Sequence, residues 1–255
     1  MKLNLGDVIP TSTLDWPGKV VLVVFMWGCP MKCPYCSNAR FIEVPEDIQP
    51  VDTESVNAKV LDASRFVDGV VFSGGEPFMQ PAALKEMASF VKEQGLLVGV
   101  HTNGAYPGRI AELANTGLLD AVFLDVKAPL EYEAYRAACR ELEMDAFAAI
   151  KRSLALCCEL RRDNKIKFFE ARTTVFQGIS DQPENIARIA CAVECADAYV
   201  VQQGRPEVAM DERLKATESI HRNRLLELAR AARERSKVKT VKVRTHLFGD
   251  EIVTA

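Results

Sequence analysis

The sequence predicts an α/β fold in the form of a partial (β/α)6 barrel of the TIM-like kind. Short apolar, β-branched runs alternate with helical patterns along the chain, and polar or glycine-rich residues follow the ends of these runs. Alternation of this type is typical of parallel strands joined by right-handed crossovers. In such barrels the reacting groups lie at the carboxyl ends of the strands.

Seven short runs rich in Val, Ile and Phe are predicted to be strands because turn residues bound them. They are Val20–Met26, Val70–Ser73, Leu97–His101, Ala121–Val126, Phe168–Phe176, Ala198–Gln202 and Val238–Arg244. Apolar residues spaced three and four apart predict helices at Pro81–Gln94 and Ile220–Arg235. A third helix is predicted to begin with Asp181 as its N-cap.

The composition narrows the class of protein. The 255 residues are 48% hydrophobic and 26% charged, with a net charge of −3, which excludes disordered and fibrous classes. Slight acidity gives no general reason to expect a nucleic acid partner. No signal peptide or membrane-spanning run is visible, so we expect a cytoplasmic protein that does not contact membranes. Without a flexible linker, we expect a single domain over 1–255, with a core at about 18–205 and a C-terminal helix and strand extension at 206–255.

Three of the eight cysteines fall in one short stretch directly after the first predicted strand: Cys29, Cys33 and Cys36. Three closely spaced thiolates can hold three irons of a [4Fe–4S] cube and leave the fourth iron open. The alternative is a structural zinc site, but zinc favours four protein ligands, and no fourth Cys or His is near in the sequence. We therefore expect a catalytic iron–sulfur cluster here.

The other five cysteines fall in predicted helices: Cys139, Cys157, Cys158, Cys191 and Cys195. In a reducing compartment we expect free thiols rather than disulfides. Free cysteine is usually buried, so packing in the core is favoured. Cys191 and Cys195 are one helical turn apart and could alternatively share a metal ion.

Polar sets follow the next three predicted strands: Ser73-Gly74-Gly75-Glu76, then Thr102-Asn103, then Asp125 with Lys127. Paired glycines let the backbone approach a ligand closely, although Gly-Gly alone often marks an ordinary turn. Asp125 and Lys127 share one strand face, where they belong either to a ligand site or to a structural ion pair at the barrel rim.

From about Thr11 to about Asp181 the chain resembles the activases of glycyl radical enzymes, which belong to the radical S-adenosylmethionine (SAM) superfamily. The activating proteins of anaerobic ribonucleotide reductase and of pyruvate formate-lyase are the most similar. The resemblance rests on the lead-in Ser12–Gly18, on Cys33-Pro-Tyr-Cys36-Ser-Asn38, and on the Gly-Gly-Glu stretch, in that order. It implies the radical SAM type of partial barrel.

The resemblance also implies two cofactors, a [4Fe–4S] cluster and SAM. The three cysteines would hold the cluster and count, with Lys127, as catalytic residues. Lys127 would meet the methionine carboxylate of SAM with Asp125 nearby, and the Gly-Gly-Glu stretch would bind its amino group. The implied cofactor-binding residues are Tyr35, Asn38, Ser73, Gly74, Gly75, Glu76, Thr102, Asn103, Asp125, Lys127 and Arg172.

Three positions depart from the pattern of that family. Ser37 stands where a His is more common, and His101 replaces an Asp that helps to bind a monovalent cation. The late-barrel His that helps to hold SAM is also missing, and Gln203 or Arg205 would take its place.

The implied activity is reductive cleavage of SAM to a 5′-deoxyadenosyl radical, which abstracts hydrogen from a glycine of a partner enzyme. The lead-in favours anaerobic ribonucleotide reductase as that partner, and flavodoxin or ferredoxin would supply the electron. One alternative is a radical SAM enzyme acting on a small molecule, a peptide or RNA. Another is a non-catalytic iron–sulfur electron carrier, which would leave the glycine pair and Lys127 without a role.

Overall fold

The computed structural model describes residues 1–140 and 142–254, which contain eleven strands and eight α-helices. The strands are β1 (Lys2–Leu3), β2 (Leu5–Ser12), β3 (Val21–Met26), β4 (Val51–Asp52), β5 (Gly69–Gly74), β6 (Leu97–Thr102), β7 (Ala121–Asp125), β8 (Phe168–Val175), β9 (Ala198–Gln203), β10 (Val241–Thr245) and β11 (Gly249–Ile252). The helices are α1 (Thr53–Ala63), α2 (Pro81–Glu93), α3 (Pro107–Asn115), α4 (Tyr132–Cys139), α5 (Met144–Arg162), α6 (Pro183–Ala192), α7 (Glu212–Lys215) and α8 (Arg222–Arg235).

One nine-stranded sheet organises the molecule, in the order β11-β10-β9-β8-β7-β6-β5-β3-β2. The seven inner strands of this sheet are parallel to one another, whereas β2 and β11 are antiparallel at the two edges. The short strands β1 and β4 form a separate antiparallel pair. Each crossover between successive parallel strands contains at least one helix, which gives six β/α units before β10. The two edge strands are not paired with each other in the described residues, so the predicted partial (β/α)6 barrel is confirmed.

The predicted strands agree closely with the observed ones. Six of the seven begin and end within one residue of the prediction, while β10 begins three residues late, at Val241. The prediction of Asp181 as the N-cap of α6 is wrong, because Gln182 takes that position. Pro183 follows as the first helical residue, where a backbone N–H would have no partner within the helix. The edge strands β2 and β11 and the short strands β1 and β4 were not predicted.

Two apolar layers hold the sheet. The larger lies between the strands and the helices, and the smaller fills the base of the barrel with Trp16, Val21, Val23, Val71, Ala121 and Phe123. Trp16 is 5% exposed and meets the ring of Phe123 edge-on at 5.6 Å. A Cβ at Gly99 would lie 2.9 Å from the Trp16 ring, so the absence of a side chain on β6 makes room for the indole.

The outer cysteines differ in part from expectation. Cys158 of α5 and Cys195, just after α6, form a disulfide, so the expectation of free thiols is wrong for this pair. Their Cα atoms are 5.4 Å apart although the residues are 37 positions apart, a proximity that only the packing of the two helices creates. Cys191 instead donates to the carbonyl of Arg235, so a metal shared by Cys191 and Cys195 is not supported. Cys139 and Cys157 are buried, as expected.

None of the helices in the described part of the chain combines the length and the apolar composition that crossing a bilayer needs.

Candidate active site

All but one of the predicted site residues line a single pocket at the carboxyl ends of β3 and β5 to β9. Parallel strands of a barrel bring their last residues together at this edge. The predicted residues that line it are Cys29, Cys33, Tyr35, Cys36, Asn38, Ser73, Gly74, Gly75, Thr102, Asn103, Asp125, Lys127, Arg172 and Gln203. The exception is Glu76.

Hydrogen bonds hold the loop that carries the cysteines. The amide of Gly28 donates to the carbonyl of Phe41 at 2.8 Å, and that of Cys29 donates to the carbonyl of Ile42 at 3.0 Å. From across the pocket, Asn103 Nδ2 lies 3.5 Å from Cys29 Sγ. The first thiol is therefore fixed both by its own loop and by the loop after β6.

The thiols suit a cluster better than a single metal ion. Among the described residues, no three His, Cys, Asp or Glu side chains are placed to hold one metal ion. A [4Fe–4S] cube binds each thiolate to a different iron, whereas zinc draws its ligands onto one atom. The hydroxyl of Tyr35, between two of the cysteines, is also buried without a partner in the described residues. This donor set fits a [4Fe–4S] cluster, and the zinc alternative is not supported.

A fourth cysteine lies against the motif, although it is distant in sequence. Cys139, the last residue of α4, is fully buried beside Cys33. The Cys139 thiol lowers the pKa of Cys33 to about 7 against the effect of burial, whereas burial raises the pKa of Cys29 to about 12. The expectation that no fourth cysteine is near is therefore wrong in space. Cys139 does not line the pocket, so it stands behind the motif.

Glu76 supports the pocket wall from behind. Its carboxylate is fully buried and accepts hydrogen bonds from the hydroxyl of Thr102 at 3.0 Å and from the amides of Asn103 and Phe78 at 2.8 and 3.1 Å. Burial raises the pKa of this carboxyl to about 7, although the three donors oppose the shift. Its observed role is to join the loops after β5 and β6.

The paired glycines lie where backbone segments cross closely. The amide of Gly75 donates to the carbonyl of Met26 at 2.9 Å, and a Cβ at Gly75 would overlap the carbonyl of Gly28. Gly74 has a φ of +113°, a region that side chains rarely adopt. Its carbonyl accepts a hydrogen bond from Asn38 Nδ2 at 3.2 Å. These contacts join the glycine pair to the cysteine loop, so the pair is more than an ordinary turn.

Asp125 and Lys127 form an ion pair with Oδ2 and Nζ 3.0 Å apart. The Lys127 side chain is only 12% exposed and lines the pocket. Burial lowers its pKa, but Asp125 and the acidic Cys33 thiol outweigh that effect and hold the pKa well above its ordinary value. Lys127 is thus a protonated ammonium inside the pocket, suited to an anionic group of a ligand.

His101 and Arg172 form the floor of the pocket. His101 Nε2 lies 3.0 Å from the carbonyl oxygen of Asp15 and 3.1 Å from Arg172 Nη1, and its Nδ1 lies 3.3 Å from the hydroxyl of Ser73. Burial and the adjacent guanidinium hold the pKa of His101 well below its ordinary value. His101 is therefore a neutral histidine whose nitrogens both have partners.

Arg172 is also part of a buried ion pair. Its Nε donates to Glu170 Oε1 at 2.6 Å, and its guanidinium lies 4.5 Å from the centre of the Phe123 ring. Its Nη2 donates to the carbonyl of Asp15 at 3.3 Å. These contacts fix the side chain, while its predicted role in binding SAM stays a prediction.

The ends of β8 and β9 supply pocket residues that the sequence predicted less well. Both polar atoms of Gln203 are used: Nε2 donates to the carbonyl of Ile220 at 2.9 Å, and Oε1 accepts from the amide of His246 at 3.1 Å. Thr174 and Gln202 also line the pocket and were not predicted as site residues. Alternation along β8, in which Arg172 and Thr174 share a face, was a usable signal for Thr174.

The model of the radical SAM superfamily matches residues 23–190. A Methanocaldococcus jannaschii protein provisionally assigned as a glycyl-radical enzyme activating enzyme is 35% identical over 234 residues, which cover 92% of this chain and 93% of that one. The pyruvate formate-lyase-activating enzyme of Clostridium pasteurianum is 33% identical over 128 residues, which cover 49% of this chain and 52% of that one. The predicted resemblance to the activases of glycyl radical enzymes is confirmed at the level of the family.

Solved structures show the same fold. A structure of TYW1 with a lysine-pyruvate adduct bound matches 91% of this chain and 79% of that chain, with a TM-score of 0.63 at 17% identity. A domain of a pyruvate-formate lyase-activating enzyme from Bacteroides vulgatus matches 69% of this chain and 99% of that chain, with a TM-score of 0.50 at 15% identity. By the sequence match and by the fold that surrounds its three cysteines, the chain belongs to the radical SAM superfamily.

Proposed function

We propose that this protein is an activase, an oxidoreductase that generates a glycyl radical on a partner enzyme. The observation that carries the proposal is the pocket in which three thiols, a glycine-lined wall and the ammonium of Lys127 face one space. Similarity to the Methanocaldococcus jannaschii protein over 92% of the chain supports the choice of activase among radical SAM enzymes.

Different residues of the pocket are assigned to the two cofactors. When bound, a [4Fe–4S] cluster and SAM together supply a 5′-deoxyadenosyl radical that removes hydrogen from a C–H bond. The three cysteines would hold the cluster. The Lys127 ammonium would bind the methionine carboxylate of SAM, and the peptide groups of Gly74 and Gly75 would bind its amino group. Asn38 keeps the glycine wall against the cysteine loop, and Glu76 joins that wall to the loop after β6.

Anaerobic ribonucleotide reductase is the partner that we favour, because the lead-in at Asp15–Gly18 is most similar to its activating proteins. The partner presents its glycine at the carboxyl edge of the barrel, where the pocket lies. A flavodoxin or a ferredoxin supplies the electron.

The test is an electron paramagnetic resonance (EPR) experiment on the reconstituted, reduced protein with SAM and the anaerobic ribonucleotide reductase of the same organism. We expect a glycyl-radical doublet and release of 5′-deoxyadenosine. Cys33→Ala should abolish both signals. Cys191→Ala removes an exposed thiol that does not line the pocket, and it should leave both unchanged.

The other outcomes separate the alternatives. Cleavage of SAM without a doublet would contradict the choice of partner and favour a small-molecule, peptide or RNA substrate. A fully loaded cluster that leaves SAM intact would contradict the proposed chemistry and favour an electron carrier.

The proposed role of Lys127 has its own test. Lys127→Met should weaken SAM binding about 10-fold or more, because a charge-assisted hydrogen bond contributes roughly 1.5–3 kcal/mol. Isothermal titration calorimetry measures the Kd. Lys85→Met is the matched control, since Lys85 pairs with Glu112 on the surface, and it should leave the Kd unchanged. An unchanged Kd in Lys127→Met would show that Lys127 does not contribute to SAM binding.

A further inference from the structure

The turn between β10 and β11 holds two large apolar side chains in solvent. Leu247 is 88% exposed and Phe248 is 64% exposed. In the described part of the chain, no other two consecutive residues are both large, apolar and exposed to this degree. Turn positions are ordinarily taken by glycine, proline or small polar residues, and an exposed apolar patch commonly marks an interaction site.

Neighbouring side chains fix the shape of this turn. Arg222 of α8 places its guanidinium 5.5 Å from the centre of the Phe248 ring, and the same group makes two hydrogen bonds to Glu251 of β11. Across the hairpin, Arg244 donates to Asp250 at 2.6 and 3.0 Å. An apolar group already held in place loses little conformational freedom on binding, so it contributes more to affinity.

The turn lies beside the pocket. Since β10 is parallel to β9, the end of β10 lies at the same edge of the sheet as the cysteine loop. The amide of His246 donates at 3.1 Å to Gln203, whose side chain lines the pocket. Gln203 therefore connects the pocket to His246, the residue that precedes Leu247.

We infer that Leu247 and Phe248 form the docking contact for the protein that presents its glycine to this pocket. The inference rests on the proposed function and names the part of this chain that recognises the partner. The partner needs an apolar recess next to its glycine-bearing segment. A small-molecule substrate would gain nothing from apolar side chains outside the pocket, whereas a protein surface covers both at once.

The test is the double variant Leu247→Ser/Phe248→Ser, assayed with the anaerobic ribonucleotide reductase. Buried apolar anchors at the centre of an interface often account for most of its affinity. We expect the KM for the reductase to rise about 10- to 100-fold, with kcat unchanged. Cleavage of SAM without the reductase should also be unchanged.

Two further variants make the result specific. Phe66→Ser removes a side chain that is 76% exposed between α1 and the start of β5, at the amino ends of the strands and away from the pocket. This variant should leave the KM unchanged. The conservative pair Leu247→Met/Phe248→Tyr should restore most of the affinity lost in the serine variant.

Each other result overturns a defined claim. An unchanged KM in the serine variant overturns the inference, and so does a loss of partner-free SAM cleavage that the conservative pair does not rescue. A shift in oligomeric state by sedimentation, with the KM unchanged, would assign the turn to a contact between two copies of this chain. A wild-type protein that forms no glycyl radical would overturn the proposed function and this inference together.

Discussion

The hydroxyl of Thr102 lies 3.0 Å from each carboxylate oxygen of Glu76. This buried contact connects the loop after β5 to the loop after β6, and the amide of Asn103 adds a third hydrogen bond at 2.8 Å. The residue that gives the Gly-Gly-Glu stretch its charge therefore supports the pocket without lining it.

Glu76 should make the stability of the protein depend on pH. Its pKa is raised from 4.5 to about 7, so the folded state holds this proton more tightly than the unfolded state. The stability that this provides is full below pH 4.5 and is lost as the pH rises through about 7. The free energy of unfolding of the wild type, minus that of Glu76→Gln, should fall by about 3 kcal/mol between those limits.

Urea unfolding at a series of pH values measures this difference. Glu112→Gln, which alters an exposed surface pair, is the control and should follow the wild type at every pH. A difference between wild type and Glu76→Gln that stays constant with pH would show that the carboxyl does not titrate in this range.

Substitution of Gly75 should disturb the cysteine loop. A Cβ at this position would overlap the carbonyl of Gly28 and lie 2.7 Å from the carbonyl oxygen of Phe41. Gly75→Ala should therefore destabilise the protein by about 1–3 kcal/mol and reduce the iron content after reconstitution. Gly108→Ala is the control, because a Cβ there meets nothing within 4 Å. Equal iron content and stability in the two variants would contradict the close packing of the glycine wall.

Cys139 should not be a ligand of the cluster. Its thiol contacts Cys33 but does not line the pocket. Cys139→Ala should keep the full iron and sulfide content, at a cost in stability of about 1 kcal/mol for the small cavity. Cys33→Ala should lose the cluster. If Cys139→Ala also lost its iron, the site would have four cysteine ligands and the open iron would be excluded.

Arg172 should be needed for folding as well as for the pocket. Glu170 is fully buried, and its Oε2 has no partner in the described residues. Arg172→Met leaves that carboxylate without its closest cation and should destabilise the protein by about 3–5 kcal/mol. The double variant Glu170→Gln/Arg172→Met should recover part of the loss. Chemical denaturation of Arg172→Met, Glu170→Gln and the double variant measures the coupling, and simply additive effects would mean that the two side chains act independently.

The sequence predicted those parts of the molecule that depend on local pattern. The six parallel strands from β3 to β9 were placed within one residue because apolar runs and turn residues bound them. Most of the pocket followed, since residues after parallel strands meet at one edge.

What the sequence did not predict depends on packing between distant segments. The Cys158–Cys195 disulfide and the contact of Cys139 with Cys33 join distant segments whose relative placement no local pattern encodes. The direction of the Glu76 side chain could not be predicted either, because a motif gives the order of residues and not where a carboxylate points.

The closeness of Trp16 to Gly99 has a consequence for the evolution of this barrel. The indole occupies the space that a side chain on β6 would need, and a Cβ at Gly99 would also lie 3.0 Å from the Phe123 ring. Neither position can enlarge unless the other shrinks. In an alignment of related chains, positions 16 and 99 should therefore covary, a tryptophan at one accompanying a glycine at the other. That pair would identify, from sequence alone, the relatives whose barrel is closed at its base by the segment before the first parallel strand.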